Sequence, residues 1–139
     1  MNVHDLPYNN FMGIKDAEDE KYLLELPESE KYWNHMKTVH AGALFSLAEA
    51  SSGKYLLNEF ANLEFAIIPV LRKASVKYSR PVEGVVKSKG VLIGKSKENI
   101  VDELIQKSRT LIDVEVILFS DSKEKVMSSV FQWFVSMAE

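Results

Sequence analysis

Glu49 is the residue best suited to do chemistry, because it is the only acidic side chain between Thr38 and Gly53. Its neighbours in sequence are leucines and alanines, and an ionised carboxylate is costly to bury without a partner. Burial raises the pKa of a carboxyl group toward neutrality, and such a group can act as a general base near pH 7. The alternative is that Glu49 reaches solvent or pairs with a lysine.

The start of the same segment offers a second candidate group, because Ala41 and Gly42 are small. The first amides of a helix lack a partner within the helix and lie at the positive end of its dipole. Such amides can hold a carbonyl oxygen as it becomes an oxyanion, provided that the neighbouring side chains leave room. Close helix packing is the alternative reason for small residues at this place.

These two groups lie too far apart along one helix to meet at one atom. Glu49 is eight residues beyond Ala41, which is roughly 12 Å along a helix axis. We therefore expect a second copy of the chain to supply one of the groups across a two-fold interface. The mechanism thus predicts an obligate homodimer.

Two polar residues, Asn34 and His35, lie on the loop that leads into the segment containing Ala41 and Glu49. The side-chain amide of Asn34 can orient a water molecule, although Asn34 and His35 can equally cap the loop. The three histidines, His4, His35 and His40, have no metal-ligand spacing with nearby carboxylates, so we expect no zinc site.

The segment that carries these residues is predicted to be one long helix from Thr38, its expected N-cap, to about Phe60. It is rich in alanine and leucine and is free of β-branched residues between Ala41 and Gly53. Apolar residues lie on almost every side, so this helix should be buried nearly all round. A helix of this kind needs a partner that wraps around it.

Strands supply the wrapping layer. Alternating apolar and polar residues or valine-rich runs predict strands at residues 22–26, 73–79, 84–94, 111–118 and 126–135. A hairpin turn at 121–124 joins the last two strands, and a short amphipathic helix capped by Asn99 precedes them. A short helical or turn segment occupies 6–13. This order predicts an α+β fold, with a curved antiparallel sheet wrapped around one long central helix.

Composition limits the functional classes. The 139 residues, 46% hydrophobic and 27% charged, are typical of a soluble protein, and we expect one domain over 1–139. The absence of cysteine excludes a disulfide framework and a cysteine nucleophile, and it suits the cytoplasm. We see no signal peptide, and the nearly uncharged stretch 38–53 is too short to span a membrane. A net charge of −3 argues against nucleic-acid binding.

Basic residues are concentrated in one part of this acidic chain. From Arg72 to Lys97 there are eight bases and a single acid, Glu83. A basic strip of this kind can receive the phosphates of a small molecule. Lysines on the solvated faces of strands are the alternative interpretation.

The segment NHMKTVHAGALFSLAEASSG, residues 34–53, resembles the signature of hotdog-fold thioesterases, specifically the phenylacetate-pathway-like branch. That signature has Asn or Gln, then His-Gly-Gly six residues later, then an acid nine residues after the histidine. Asn34, His40 and Glu49 stand at those spacings. The segments 77–84 (KYSRPVEG) and 6–14 (LPYNNFMGI) also resemble the strand-ending Arg-Pro segment and the first helix of that group.

The resemblance implies acyl-CoA hydrolysis, with coenzyme A as part of the substrate and no other cofactor. Glu49 would be the general base or the nucleophile, and the backbone amide of Ala41, next to Gly42, would polarise the thioester carbonyl. Asn34 would position water or the carboxylate. His40 would tie the loop to the start of the helix. Two departures affect this expectation, because Ala41 replaces the first glycine and the acid is Glu where this branch often has Asp. Substrate contacts are expected at Ser52, Gly53, Lys73, Lys77 and Arg80, and the three basic residues among them would lie near the CoA phosphates. The expected assembly is a homodimer or a dimer of dimers.

Two alternatives on the same fold remain open. A module that holds acyl-CoA or a fatty acyl group without hydrolysing it is compatible with the departure at Ala41. A hydratase or dehydratase would need a histidine beside the carboxylate. The nearest one in sequence, His40, is half-way round the helix from Glu49 at roughly 100° per residue.

Overall fold

The computed structural model describes all 139 residues. In chain order its elements are α1 (Pro7–Met12), β1 (Lys15–Asp16), β2 (Leu24–Leu26), α2 (Ala41–Glu59), β3 (Ile67–Tyr78), β4 (Val86–Ile93), α3 (Lys97–Lys107), β5 (Arg109–Ser120) and β6 (Lys125–Met137). Short 3-10 turns precede α1 and α2. The six strands form one antiparallel sheet in the order β1-β2-β4-β5-β6-β3.

Helix α2 packs against the inner face of this sheet, as the sequence predicted. The alternation in β5 is strict: Ile112, Val114, Val116 and Leu118 are fully buried, whereas the residues between them are only partly covered. On the helix, leucines and small residues such as Ala48 and Ser51 lie in the same core. The result is one long helix cradled by a curved antiparallel sheet, so the predicted fold class is confirmed.

Both predicted helix caps are wrong by a few residues. Helix α2 begins at Ala41, and its N-cap is His40, whose Nδ1 accepts a hydrogen bond from the Gly42 N–H at 2.8 Å. Thr38 does not cap the helix because its hydroxyl is bound to the side chain of Asn34.

Helix α3 shows the same kind of shift. It begins at Lys97, and its N-cap is Ser96, whose hydroxyl accepts from the Asn99 N–H at 3.1 Å. Asn99 therefore lies inside the first turn, where its backbone amide is one of the donors that a helix start leaves without an internal partner.

Strand β3 begins earlier than the sequence pattern indicated. It starts at Ile67, so the apolar run that includes Pro69 belongs to it, and its register against β6 shifts between Leu71 and Lys73. Only β6 pairs with it, which leaves β3 at the edge of the sheet. Proline is tolerated on edge strands, where its missing N–H can face away from the ladder. Because β6 pairs with only one side of β3, the other edge of β3 is free for pairing with another strand.

Candidate functional site

The partly uncovered face of α2 carries the candidate site, and the N-terminal segment of the chain lies across that face. Tyr8 of α1 shares a hydrogen bond of 2.9 Å with the hydroxyl of Ser46. Ser46 donates its own proton to the Gly42 carbonyl at 2.9 Å, so Tyr8 is the donor. This contact holds α1 about one turn before Glu49 on the helix.

Glu49 is half-buried on this face. Burial is the only cause that raises the pKa of its carboxyl group, and no cation or donor of the chain offsets that burial. The alternative in which Glu49 pairs with a lysine is therefore not the arrangement within this chain. A desolvated, unpaired carboxylate holds a proton more tightly than a solvated one, and it is a stronger base.

A cavity of about 540 Å³ opens beside Glu49. Eight of its twelve lining residues are hydrophobic. The lining comes from the N-terminal segment, from α2, from the start of β3 and from β6: Met1, Val3, Leu6, Tyr8, Asn9, Glu49, Gly53, Leu57, Ile67, Ile68, Pro69 and Trp133. Glu49 is its single ionisable carboxylate, so the cavity combines one reactive group with apolar walls.

Ser52 and Gly53 both meet the indole of Trp133, a residue that the sequence did not single out. The indole N–H donates to the Ser52 hydroxyl at 3.0 Å, and that hydroxyl donates to the Glu49 carbonyl at 2.7 Å. Ser52 is fully buried and therefore supports the cavity from behind, whereas Gly53 lines it. The sequence placed Trp133 only within the predicted strand 126–135, and the available signal was its position between the polar Gln132 and the strand's last apolar residues.

The start of α2 carries an amide that has no acceptor in the chain, the N–H of Ala41. The next amide, of Gly42, is used by the His40 cap. The Ala41 carbonyl accepts from the Tyr78 hydroxyl at 3.2 Å, which fixes the end of β3 against the helix start. Ala41 is exposed, so its free N–H is accessible from outside the chain.

Asn34 lies beside Ala41 but uses its side chain to close the loop before α2. Its Oδ1 accepts from the Met36 and Thr38 amides at 2.9 and 3.1 Å, and its Nδ2 donates to the Thr38 hydroxyl at 2.9 Å. These bonds match the loop-capping alternative. Asn34 and Ala41 line one cavity of about 360 Å³, so the asparagine is still within the surroundings of the free amide.

The three predicted phosphate contacts differ in position. Lys73 and Lys77 are exposed on β3 and line neither of the two cavities just described. Arg80 lines the cavity of Ala41 and forms an ion pair with Glu124. Of the three bases, only Arg80 shares one of these cavities with a candidate reacting group.

Within one chain the two key groups do not meet, since Glu49 and Ala41 open into separate cavities. No cluster of three or more His, Cys, Asp or Glu side chains is arranged to hold a metal ion. The structure contains no helix of sufficient length and apolar character to cross a membrane.

Comparison with solved structures defines the class of the fold. The chain superimposes on a protein of unknown function from Pseudomonas aeruginosa with a TM-score of 0.79 and 20% identity, over 98% of this chain and 91% of that one. A thioesterase from Haemophilus influenzae gives a TM-score of 0.73 and 16% identity, over 97% and 86%. A Bacillus halodurans protein solved with CoA gives 0.65 and 18%, over 85% and 72%. The chain has the hotdog fold of these proteins.

A match to a family model defines the sequence family of the chain. Residues 11–135 match the family model described as a domain of unknown function, DUF4442, and the chain belongs to that family. No curated protein matches the chain significantly.

Proposed function

We propose that this chain is an acyl-thioester hydrolase that acts on acyl-CoA, with Glu49 as the general base or nucleophile. The observation that carries the proposal is the half-buried, unpaired Glu49 carboxylate at the wall of an apolar cavity. An activated carboxylate beside an acyl-sized cavity is what thioester hydrolysis needs. The thioesterase from Haemophilus influenzae and the CoA-bound protein from Bacillus halodurans have the same fold, which supports this class of reaction and of substrate.

A second copy of the chain completes the site in this proposal. Glu49 shares its cavity with Ile67 and Pro69, near the beginning of β3. Ala41 is bonded to Tyr78, at the end of β3. If β3 pairs antiparallel with β3 of a second copy, the beginning of each strand faces the end of the other. The free amide of Ala41 in one copy is then directed toward Glu49 of its partner.

The proposed reaction follows from these two groups. Glu49 takes a proton from water as the water oxygen attacks the thioester carbonyl, and the N–H of Ala41 stabilises the oxyanion. The tetrahedral intermediate collapses by breaking the C–S bond, and the proton passes to the departing CoA thiolate. In the nucleophilic version the carboxylate itself attacks, and water then hydrolyses the resulting anhydride.

Supporting residues receive positioning roles. His40 holds the helix start through its bond to Gly42, which keeps the N–H of Ala41 as the free amide. Asn34 shapes the loop at the mouth of the cavity of Ala41. Arg80, in the same cavity, is the proposed contact for a CoA phosphate, and Lys73 and Lys77 on the neighbouring strand add positive charge.

The experiment that tests the proposal is an acyl-CoA panel with free-thiol detection, run on the wild type and on Glu49→Gln. We expect the variant to lose at least about 10²-fold in kcat, the lower range for a positioned general base. Glu64→Gln is the matched control, because Glu64 is an exposed glutamate outside both cavities. Equal rates in the wild type and Glu49→Gln would remove the proposed role.

The alternative of a non-catalytic acyl-binding module rests on the side chain of Ala41, whose Cβ stands beside the amide that the carbonyl must approach. Binding without thiol release across the whole panel would support that module. The hydratase alternative is weakened by the position of His40, because its Nδ1 is committed to the helix cap at the far end of the segment from Glu49.

A further inference from the structure

We infer that the cavity beside Glu49 selects an unsubstituted hydrocarbon acyl chain, and that Trp133 forms the floor that limits its length. The inference rests on the proposed function for the position of the thioester, and it adds the chemical class of the acyl group. It is based on two observations: side-chain donors in the cavity wall are already hydrogen-bonded within the chain, and Gly53 packs against the indole ring of Trp133.

Two side-chain donors of the cavity wall, the Trp133 indole and the Tyr8 hydroxyl, are already used within the chain. The Trp133 indole N–H donates to Ser52, which is itself fully buried behind the wall. The Tyr8 hydroxyl donates to Ser46, and one of the two amide hydrogens of Asn9 donates to the Val3 carbonyl at 2.9 Å. A carboxylate or oxo group on the acyl chain would find neither of these two donors free. Burying an unpaired polar group costs free energy, so the cavity favours a plain hydrocarbon.

Glu49 adds a second reason to exclude charged acyl groups. Its carboxylate forms no ion pair with a side chain of the protein, and burial raises its pKa. A second carboxylate in the same apolar cavity would repel it at short range and in a medium of low dielectric constant. Dicarboxylic acyl groups are therefore disfavoured on two grounds, because the Trp133 and Tyr8 donors are used within the chain and because Glu49 repels a second carboxylate.

The floor of the cavity is set by Trp133 and Gly53 together. The indole is 8% exposed and is held in place by its bond to Ser52. A Cβ added at Gly53 would lie 3.6 and 3.7 Å from Cζ2 and Cη2 of the ring, which is ordinary van der Waals contact. The glycine therefore leaves a space one methyl deep between the helix and the ring. An alanine fits there without displacing the indole, but it removes that depth.

The experiment measures binding of S-alkyl-CoA thioethers, which lack the carbonyl and are not hydrolysed, by tryptophan fluorescence. Trp33 and Trp133 are the two tryptophans of the chain, so Trp33→Phe leaves Trp133 as the sole reporter. We expect affinity to rise up to roughly fourfold per buried methylene and then to level off. An ω-carboxyl group should abolish this gain. Flat affinity with chain length, or equal binding of the ω-carboxyl analogue, would overturn the inference.

Gly53→Ala tests the floor directly. Alanine is a better helix former than glycine, so the fold is retained, and the ratio of long-chain to short-chain affinity should fall by up to roughly fourfold through the lost depth of one methyl group. Asn58→Ala is the control, since Asn58 is exposed on α2 and does not line the cavity. An unchanged ratio in Gly53→Ala would refute the role of the floor.

The binding experiment and the hydrolysis assay fail independently. Chain-length-dependent binding without release of thiol from any acyl-CoA would leave the cavity assignment standing and refute the hydrolase. If the wild type releases thiol, Glu49→Gln does not, and thioether binding shows no dependence on chain length, the hydrolase stands and the cavity assignment is refuted.

Discussion

The Tyr78 hydroxyl donates a hydrogen bond of 3.2 Å to the carbonyl of Ala41, so the last residue of β3 is attached to the first residue of α2. Glu49 lies beside the opposite end of the same strand. These two contacts place the two proposed reacting groups at opposite ends of a free sheet edge. Antiparallel pairing of two such edges produces two equivalent sites, each built from both copies.

Ala41→Pro tests the amide itself. Ala41 is the first residue of α2, where proline is favoured and its missing N–H costs no helical bond. His40, the preceding residue, already has the extended backbone that a following proline requires, with ψ 139°. We expect an unchanged fold by circular dichroism and a loss of about 10²–10³ in kcat, as for removal of one oxyanion donor. Ala41→Ser, which retains the N–H, is the control; if both variants keep the wild-type kcat, the amide has no role.

Subunit complementation tests the two-copy site. We expect homodimers of Ala41→Pro and of Glu49→Gln to be inactive, whereas a heterodimer of the two has one intact Ala41 amide facing one intact Glu49. Random pairing should restore roughly a quarter of the wild-type sites, because half of the dimers are mixed and each has one good site. Titration of the purified, co-expressed mixture for thiol release measures this fraction. No recovery in a verified heterodimer would show that the site lies within one chain.

The pH dependence of hydrolysis should report the environment of Glu49. The carboxylate must be ionised to act, and burial raises its pKa above the ordinary value of about 4.5. The acid limb of kcat/KM is therefore expected to lie at a higher pH than 4.5, with activity lost as the pH falls through that limb. An acid limb at or below the ordinary value would mean that Glu49 is solvated in the working enzyme.

The same burial predicts a stability gain in Glu49→Gln. Because the folded state holds the Glu49 proton more tightly than the unfolded state, ionisation destabilises the wild type as the pH rises above about 4.5 and through the raised pKa. Gln lacks this titration, so the variant should be more stable by about 1 kcal/mol at neutral pH, which is within the usual range for a single stabilising substitution. Denaturant unfolding at pH 5 and pH 8 measures the difference, which should widen at pH 8; a constant difference would contradict the prediction.

His40 should contribute to stability as a helix cap. Its Nδ1 accepts from the Gly42 amide, and loss of an N-cap acceptor costs about 1 kcal/mol. We expect His40→Ala to lower the free energy of unfolding by that amount, and His40→Asn to recover most of it because asparagine is a strong N-cap. Equal destabilisation by both substitutions would mean that the ring contributes by packing instead.

The sequence predicted the elements better than their ends. The alternation of Ile112 to Leu118 was readable because one face of β5 is buried and the other is not. The beginning of β3 was missed because the run around Pro69 does not alternate and proline argues against a central strand. Thr38 has the chemistry of a cap, but the side chain of Asn34 occupies it. That competition exists only in the folded loop.

Residues of the candidate site could be named from the sequence only where one residue type carried the signal, and their roles stay predictions. Glu49 could be identified because a lone acid interrupts an apolar helix. The bond between Trp133 and Ser52 joins residues 81 positions apart, and no local pattern encodes it. The depth that Gly53 provides is likewise a property of the packed ring, since a glycine in a helix looks from sequence alone like a loss of helix propensity.

Pro69 has a further consequence for how copies of the chain can associate. A long exposed β edge can nucleate open-ended stacking of chains into fibrils, and an imino acid on that edge interrupts the continuous row of donors that such growth requires. Pro69 lies near the beginning of β3, so the rest of the strand can still pair with one further strand. A residue that lines the cavity beside Glu49 therefore also makes this edge less favourable for the indefinite addition of strands.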